Sequence, residues 1–192
     1  MTSERRFGGW LFRQRSWLPV PLALAVVAGS PGLAWRPVVA AGAALLIVGQ
    51  AIRFWSVRHI GVISRTRSIR IGPLVTTGPY RLMRHPIYLG NFCLWTGTVL
   101  CAQKPTLLPG IWLAFGVLYL PMTWWEEQML VKTVAEYGSY ATFVPGWLPR
   151  LSGGRVNSGE HTFTWGEVMF AERGTLLAIA AMLLALYARR FF

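Results

Sequence analysis

Pro37-Val-Val-Ala-Ala-Gly-Ala-Ala-Leu-Leu-Ile-Val-Gly-Gln-Ala-Ile-Arg-Phe-Trp55 decides the fold class. The run is predominantly apolar and close to the ~20 residues a helix needs to cross a bilayer. Its small residues Ala40, Ala41, Ala43, Ala44 and Gly49 suit close helix packing in lipid. Composition agrees: 54% of the 192 residues are hydrophobic and only 14% charged, far from the balance of a soluble domain.

Four more apolar segments flank this run. Residues 17–33 are broken by Pro19, Pro21 and Ser30-Pro31-Gly32, which suits a tilted or hairpin span. Residues 86–103 and 106–125 form an antiparallel pair joined by a tight turn at Lys104-Pro105, and 174–188 supply a last helix. The expected fold is therefore all-α, a polytopic membrane bundle of about five segments forming one domain over 1–192. The early Arg5, Arg6, Arg13 and Arg15 precede no convincing cleavage site, so the first segment reads as a retained anchor.

Lys and Arg number 19 against 7 acids, a net charge of +12. The arginines flank apolar stretches and accompany no nucleic-acid-binding signature, so the excess points to anionic headgroups and the positive-inside rule. Counting the arginines of 53–84 with Lys132, Arg150, Arg155 and Arg173 as internal leaves Arg36, Lys104, Arg189 and Arg190 outside. The expectation is a multi-pass protein with its N-terminus, the 56–85 loop and the 126–172 region all cytoplasmic. Cys93 and Cys101 lie in one apolar stretch and read as packing residues, while His59, His85 and His161 are scattered, so no metal is expected.

Chemistry concentrates in Gly72-Pro-Leu-Val-Thr-Thr-Gly-Pro-Tyr-Arg-Leu-Met-Arg-His-Pro-Ile-Tyr-Leu-Gly90. Two Gly-Pro steps interrupt any helix. Pro86 suits the first position of the third membrane helix, with His85 as its cap. That helix start gathers backbone N–H groups and the cations Arg81 and Arg84 into a site for an anion such as a carboxylate, and Tyr88 lies one turn from Arg84. The bland alternative is an interfacial helix start with snorkelling arginines.

At the end of the fourth helix stand Glu126 and Glu127, acids that are costly beside a membrane unless they reach water, a cation or a ligand. Antiparallel pairing brings them to the face of Arg84 and His85, where a plain salt bridge competes with ligand binding. Beyond them Tyr137-Gly-Ser-Tyr140 and Val144-Pro145 suggest a helix ending in a loop that caps a pocket.

Arg84-His85-Pro86-Ile87-Tyr88 behind Leu74-Val-Thr-Thr-Gly-Pro-Tyr80, with the downstream Glu126-Glu127 and Tyr137-Gly-Ser-Tyr140, resembles the isoprenylcysteine carboxyl methyltransferase and phospholipid N-methyltransferase superfamily. The resemblance covers roughly residues 50–150. It implies S-adenosylmethionine as cofactor, contacted by Pro73, Leu74, Val75, Tyr80, His85, Pro86, Ile87, Tyr88 and Glu126 or Glu127. Arg84, Glu126 and Glu127 are its candidate catalytic residues. A hydrophobic or lipid acceptor would enter from the membrane, and neither nucleic acid nor an obligate protein partner is implied.

The chain departs from the family pattern in three places. Thr123-Trp124-Trp125 stands where carboxyl methyltransferases carry an arginine before the Glu pair, Val134-Ala135 replaces a usual Phe-Gly, and the region after Arg150 has no counterpart. Glu160, Glu167 and Glu172 there are expected to pair with Arg155 and Arg173. Competing readings are an NADPH-dependent membrane sterol or steroid reductase and a non-catalytic lipid-binding membrane protein. No Gly-rich loop follows a strand, which excludes a soluble dinucleotide-type methyltransferase fold.

Overall fold

The computed structural model describes residues 9–11, 14, 19–32, 36–61, 74–150 and 162–191. Pro73, Arg155, Glu160, His161 and the arginines of 62–73 lie outside the described residues. The described elements are α1 (Pro19–Ala28), α2 (Pro37–Ile60), α3 (Pro86–Cys101), α4 (Leu108–Thr133), the short α5 (Tyr137–Phe143) and α6 (Trp165–Ala188), with 3-10 turns at Gly78–Arg81 and Pro105–Leu107. No strand occurs among the described residues.

Three helical stretches, α2, Pro105–Thr133 and α6, are long and apolar enough to cross a membrane. The sixteen residues of α3 rise only about 24 Å at 1.5 Å each, short of a ~30 Å hydrocarbon core, and α1 has ten residues. Prolines punctuate several starts: Pro37 and Pro86 occupy first helical turns, where a missing N–H costs nothing. By contrast, α6 opens on a reciprocal capping box, in which the Glu167 carboxylate accepts from the Thr164 N–H at 2.9 Å and Thr164 Oγ1 accepts from Glu167 N–H at 3.4 Å. Glu167 thus caps its own helix, because an acid three residues after a threonine meets the orphan N–H groups of its own first turn.

The α2–α3 contact carries the middle of the bundle, and glycine makes it possible. A Cβ on Gly42 would lie 2.8 Å from the Gly97 carbonyl oxygen, and one on Gly49 would lie 2.8 Å from that of Gly90. Gly42 and Gly49 are buried while Ala41, Ala43 and Ala44 are exposed, so the close face is set by the glycines and not by the alanines of the same run. Any side chain here must push two backbones apart. Gly49→Val is expected to cost about 1–3 kcal/mol by overpacking, read as a lowered melting midpoint in detergent, while Ala44→Val on the exposed face leaves the midpoint unchanged.

Next to α3 stands α4, with the Trp112 indole donating to Thr96 Oγ1 at 3.2 Å near the turn and Phe115, Tyr119 and Met122 packing on Tyr88 further along. The pair is antiparallel, as expected. Yet α4 runs to Thr133, two turns beyond the expected end at Trp125, so Glu126 and Glu127 sit within the helix. Its polar last turns are anchored by Leu130 and Val134, which pack against Tyr137, Tyr140 and Val144. The final helix lies against α2: Val168 and Ala171 cover Val57, and Leu186 reaches the cluster of Val26, Leu46 and Leu94.

Candidate active site

His85 occupies the N-cap of α3, but its side chain makes no capping bond. The imidazole turns toward α4, with Nε2 at 2.7 Å from Glu127 Oε1. Arg84 Nε lies 3.1 Å from the same oxygen, an ion pair whose N–H is not aligned for a hydrogen bond, and Arg84 Nη1 donates to the Ala141 carbonyl at 3.2 Å. One turn along α3, the Tyr88 hydroxyl donates to Glu126 Oε2 at 3.0 Å. The adjacent glutamates therefore take different partners: Glu127 binds the residues before α3, and Glu126 meets the helix itself.

The loop after α5 closes over this helix start. Arg84 N–H donates to the Pro145 carbonyl at 2.8 Å, His85 N–H to that of Gly146 at 3.1 Å, and Arg150 N–H to that of Leu82 at 2.9 Å. Two of the N–H groups expected to serve an anion are thus already held by carbonyls, because a backbone loop satisfies buried donors as well as a ligand can. Trp147, carried by this loop, faces the rings of His85 and Tyr88 at 5.8 and 6.3 Å.

Three buried tyrosines form the remaining wall. The Tyr140 hydroxyl donates to the Tyr80 carbonyl at 2.6 Å, whereas the hydroxyls of Tyr80 and Tyr137 have no hydrogen-bond partner among the described residues. Burial, and next the charge of Glu126, pushes the Tyr80 phenol well above its usual range. Burial likewise raises Tyr137, with Glu127 as the next cause, and Tyr140, with Tyr137 as the next. All three stay protonated near neutral pH, and Tyr80 and Tyr137 offer O–H donors. Gly78 holds this turn with φ of 57° and the His59 ring where a Cβ would be, at 2.3 Å, a position only glycine fills without strain.

Among the expected site residues, the structure brings together Arg84, His85, Tyr88, Glu126 and Glu127, with Pro86 buried as the first residue of α3 and Tyr80 in the electrostatic field of Glu126. Leu74 packs against Tyr137, Tyr140 and Val144, and Val75 is half-buried. Ile87 points elsewhere, packing on Val57, Val168 and Ala171, since consecutive helical residues diverge by ~100°. Trp124 is 44% exposed and Trp125 9%, while Arg81 and Arg150 are exposed.

Sequence reasoning did not single out Trp147, named Tyr137 only within a pocket-capping stretch, and missed the partner of Arg53. Arg53, inside the run read as a membrane helix, is 5% exposed in α2, and Glu172 is fully buried against it, 2.9 Å from Arg53 Nη2. Arg173 lies over the Phe170 ring at 3.6 Å. An intramembrane charge of each sign was the available signal, because neither is stable in lipid without the other.

Fold and site together define a helical membrane protein whose polar groups converge at one end of an antiparallel helix pair. The chain belongs to the phospholipid methyltransferase family, which matches residues 37–137, just over half of its length. It is 34% identical over 117 residues to the nickel-cobalt-cadmium resistance protein NccN of Alcaligenes xylosoxydans xylosoxydans, covering 57% of this chain and 52% of that protein. It is also 34% identical over 91 residues to the cobalt-zinc-cadmium resistance protein CzcN of Cupriavidus metallidurans, covering 47% and 41%. The chain spans about half the length of the curated relatives it matches. No solved structure matches it.

Proposed function

We propose that the protein is an S-adenosylmethionine-dependent methyltransferase acting on a lipid-like acceptor, with α1 and α3 as shorter segments of a five-segment bundle and the site on the cytoplasmic side. The observation that carries the reading is the donor and acceptor set around Glu126. Two buried phenol hydroxyls, Tyr80 and Tyr137, lack a hydrogen-bond partner among the described residues, and leaving such groups unsatisfied costs about 1–3 kcal/mol each. A ligand bearing a carboxylate and hydroxyls would satisfy them, and the glutamates could take its ammonium or ribose hydroxyls. The chain's residues thus fit S-adenosylmethionine.

Bound there, the cofactor supplies an electrophilic methyl group on a sulfonium. The protein's part is then to orient and desolvate: His85, Arg84 and Glu127 fix the start of α3, Trp147 and the 144–149 loop cover it, and Tyr88 aims the Glu126 carboxylate. Alignment of this kind supplies much of a transfer reaction's acceleration. Glu126 is also placed to accept a proton from an amine or hydroxyl acceptor.

Titration calorimetry of the detergent-purified protein is the test, with S-adenosylmethionine and NADPH as separate ligands. Heat with the first alone is expected, and His85→Ala should weaken that affinity about tenfold or more by releasing Glu127 and Tyr88 from their common orientation. Binding of NADPH alone would establish the reductase reading instead, and unchanged affinity in His85→Ala would remove the helix start from the site.

A further inference from the structure

Glu172 stands on α6, outside the segment matched by the family, and is 0% exposed. Its Oε2 accepts from Arg53 Nε at 2.9 Å and from Gln50 Nε2 at 3.2 Å, while Oε1 accepts from Arg53 Nη2 at 2.9 Å. This fork occupies one edge of the guanidinium, and Nη2 also lies 3.3 Å from Thr175 Oγ1. The remaining amino group, Nη1, donates to Asn91 Oδ1 on α3. Arginine cannot accept, so the asparagine must present its oxygen to it and its amino group to the other side. There Asn91 Nδ2 donates to the Tyr119 hydroxyl at 3.3 Å. The Tyr119 ring stands edge-on to Tyr88 at 5.3 Å, and Tyr88 holds Glu126.

We infer that Glu172 is a positioning residue of the methyl-transfer site: through Arg53 and Asn91 it sets Tyr119 and Tyr88, and so the aim of Glu126. The inference rests on the methyltransferase reading above. A purely structural role accounts poorly for the arrangement, because a buried ion pair adds little net stability over apolar residues of the same volume. Directionality is what such a pair supplies. Every link from α6 to α4 is a hydrogen bond of fixed donor and acceptor or a ring contact, and the family-matched core holds only part of it.

The test separates stability from aim. Asn91→Leu, near in volume, cuts the chain while leaving Arg53 and Glu172 paired, and the double variant Arg53→Met with Glu172→Leu removes both charges at once. Each is compared with the wild type by melting midpoint, by calorimetric affinity for S-adenosylmethionine, and by transfer of labelled methyl to total membrane lipid. Asn91→Leu, which leaves Arg53 Nη1 without its acceptor, is expected to melt lower than the wild type but to stay folded and bind S-adenosylmethionine as the wild type does, while transferring label about tenfold more slowly or worse, in line with the cost of a sub-ångström to 1 Å misplacement; the double variant, which buries no unpaired charge, melts as the wild type does and transfers label as slowly. Wild-type transfer by a folded Asn91→Leu protein overturns the inference whether or not the double variant folds. If the wild type itself neither binds S-adenosylmethionine nor transfers label, the methyltransferase reading falls and the inference with it, a result distinct from a variant that turns over normally.

Discussion

Glu126→Gln is expected to lower methyl transfer about 100-fold, the scale of a well-placed proton-transferring or charge-bearing group, without moving the melting midpoint. Its Oε2 accepts one bond, from the neutral Tyr88 hydroxyl at 3.0 Å, and a glutamine oxygen can accept that bond equally well. The change therefore spares the fold and removes only the negative charge. Glu127→Gln should behave differently. That carboxylate serves both His85 at 2.7 Å and Arg84 at 3.1 Å, and a neutral amide leaves Arg84 without its counter-charge. A loss of about 1–3 kcal/mol in stability follows from weakening hydrogen bonds to a charged group, with cofactor affinity falling alongside. Midpoints from thermal melts and turnover with labelled S-adenosylmethionine check both variants. Equal loss of stability in the two would mean that the glutamate pair is a structural salt bridge and no more.

The second large effect concerns the acceptor. A prenylcysteine carboxylate needs a cation beside the reacting methyl group, ideally a guanidinium that binds it through two parallel hydrogen bonds. Trp125 stands before Glu126 and is nearly buried, Trp124 is exposed, Arg84 is engaged by Glu127, and Arg81 and Arg150 are exposed to solvent. Indole packs against an apolar tail or faces a cation but cannot replace that fork. Incubation with labelled S-adenosylmethionine should place base-stable label on membrane lipid, at least ~10-fold above base-labile ester on a prenylcysteine analogue, a lower bound because unpaired buried polar groups discriminate more strongly than that. Dominant base-labile ester would recast the chain as a carboxyl methyltransferase in which Arg81 or Arg150 takes the arginine's role.

Much of the bundle was legible because apolar length is a local property. The runs that became α2, α4 and α6 could be found by counting, and the approach of Glu126 and Glu127 to Arg84 and His85 follows from two antiparallel helices joined by a short turn. Long-range pairing was not legible. Arg53 sits inside the run that reads as a membrane helix, but nothing in that run names its partner, and only the folded chain brings it to a glutamate 119 residues away. The same holds for Pro145 and Gly146, whose carbonyls take the N–H groups that a lone helix start would leave open. At Ile87 the helical repeat decides the packing: its neighbour Tyr88 faces Glu126, and Ile87 turns toward Val57 and Val168.

The spacing of Arg53 and Glu172 also imposes an order on biosynthesis. At about 5–20 residues per second, the ribosome adds the counter-ion in α6 roughly 6–24 seconds after Arg53, given their separation of 119 positions. A guanidinium at the centre of a nascent span costs about 2.5–3.5 kcal/mol on translocon insertion scales, and Arg53, past the midpoint of the 24-residue α2, carries part of that cost. Until α6 arrives, α2 must keep that group near the headgroups or within the insertion machinery, so its final depth in the bilayer is settled only when the last helix is laid against it.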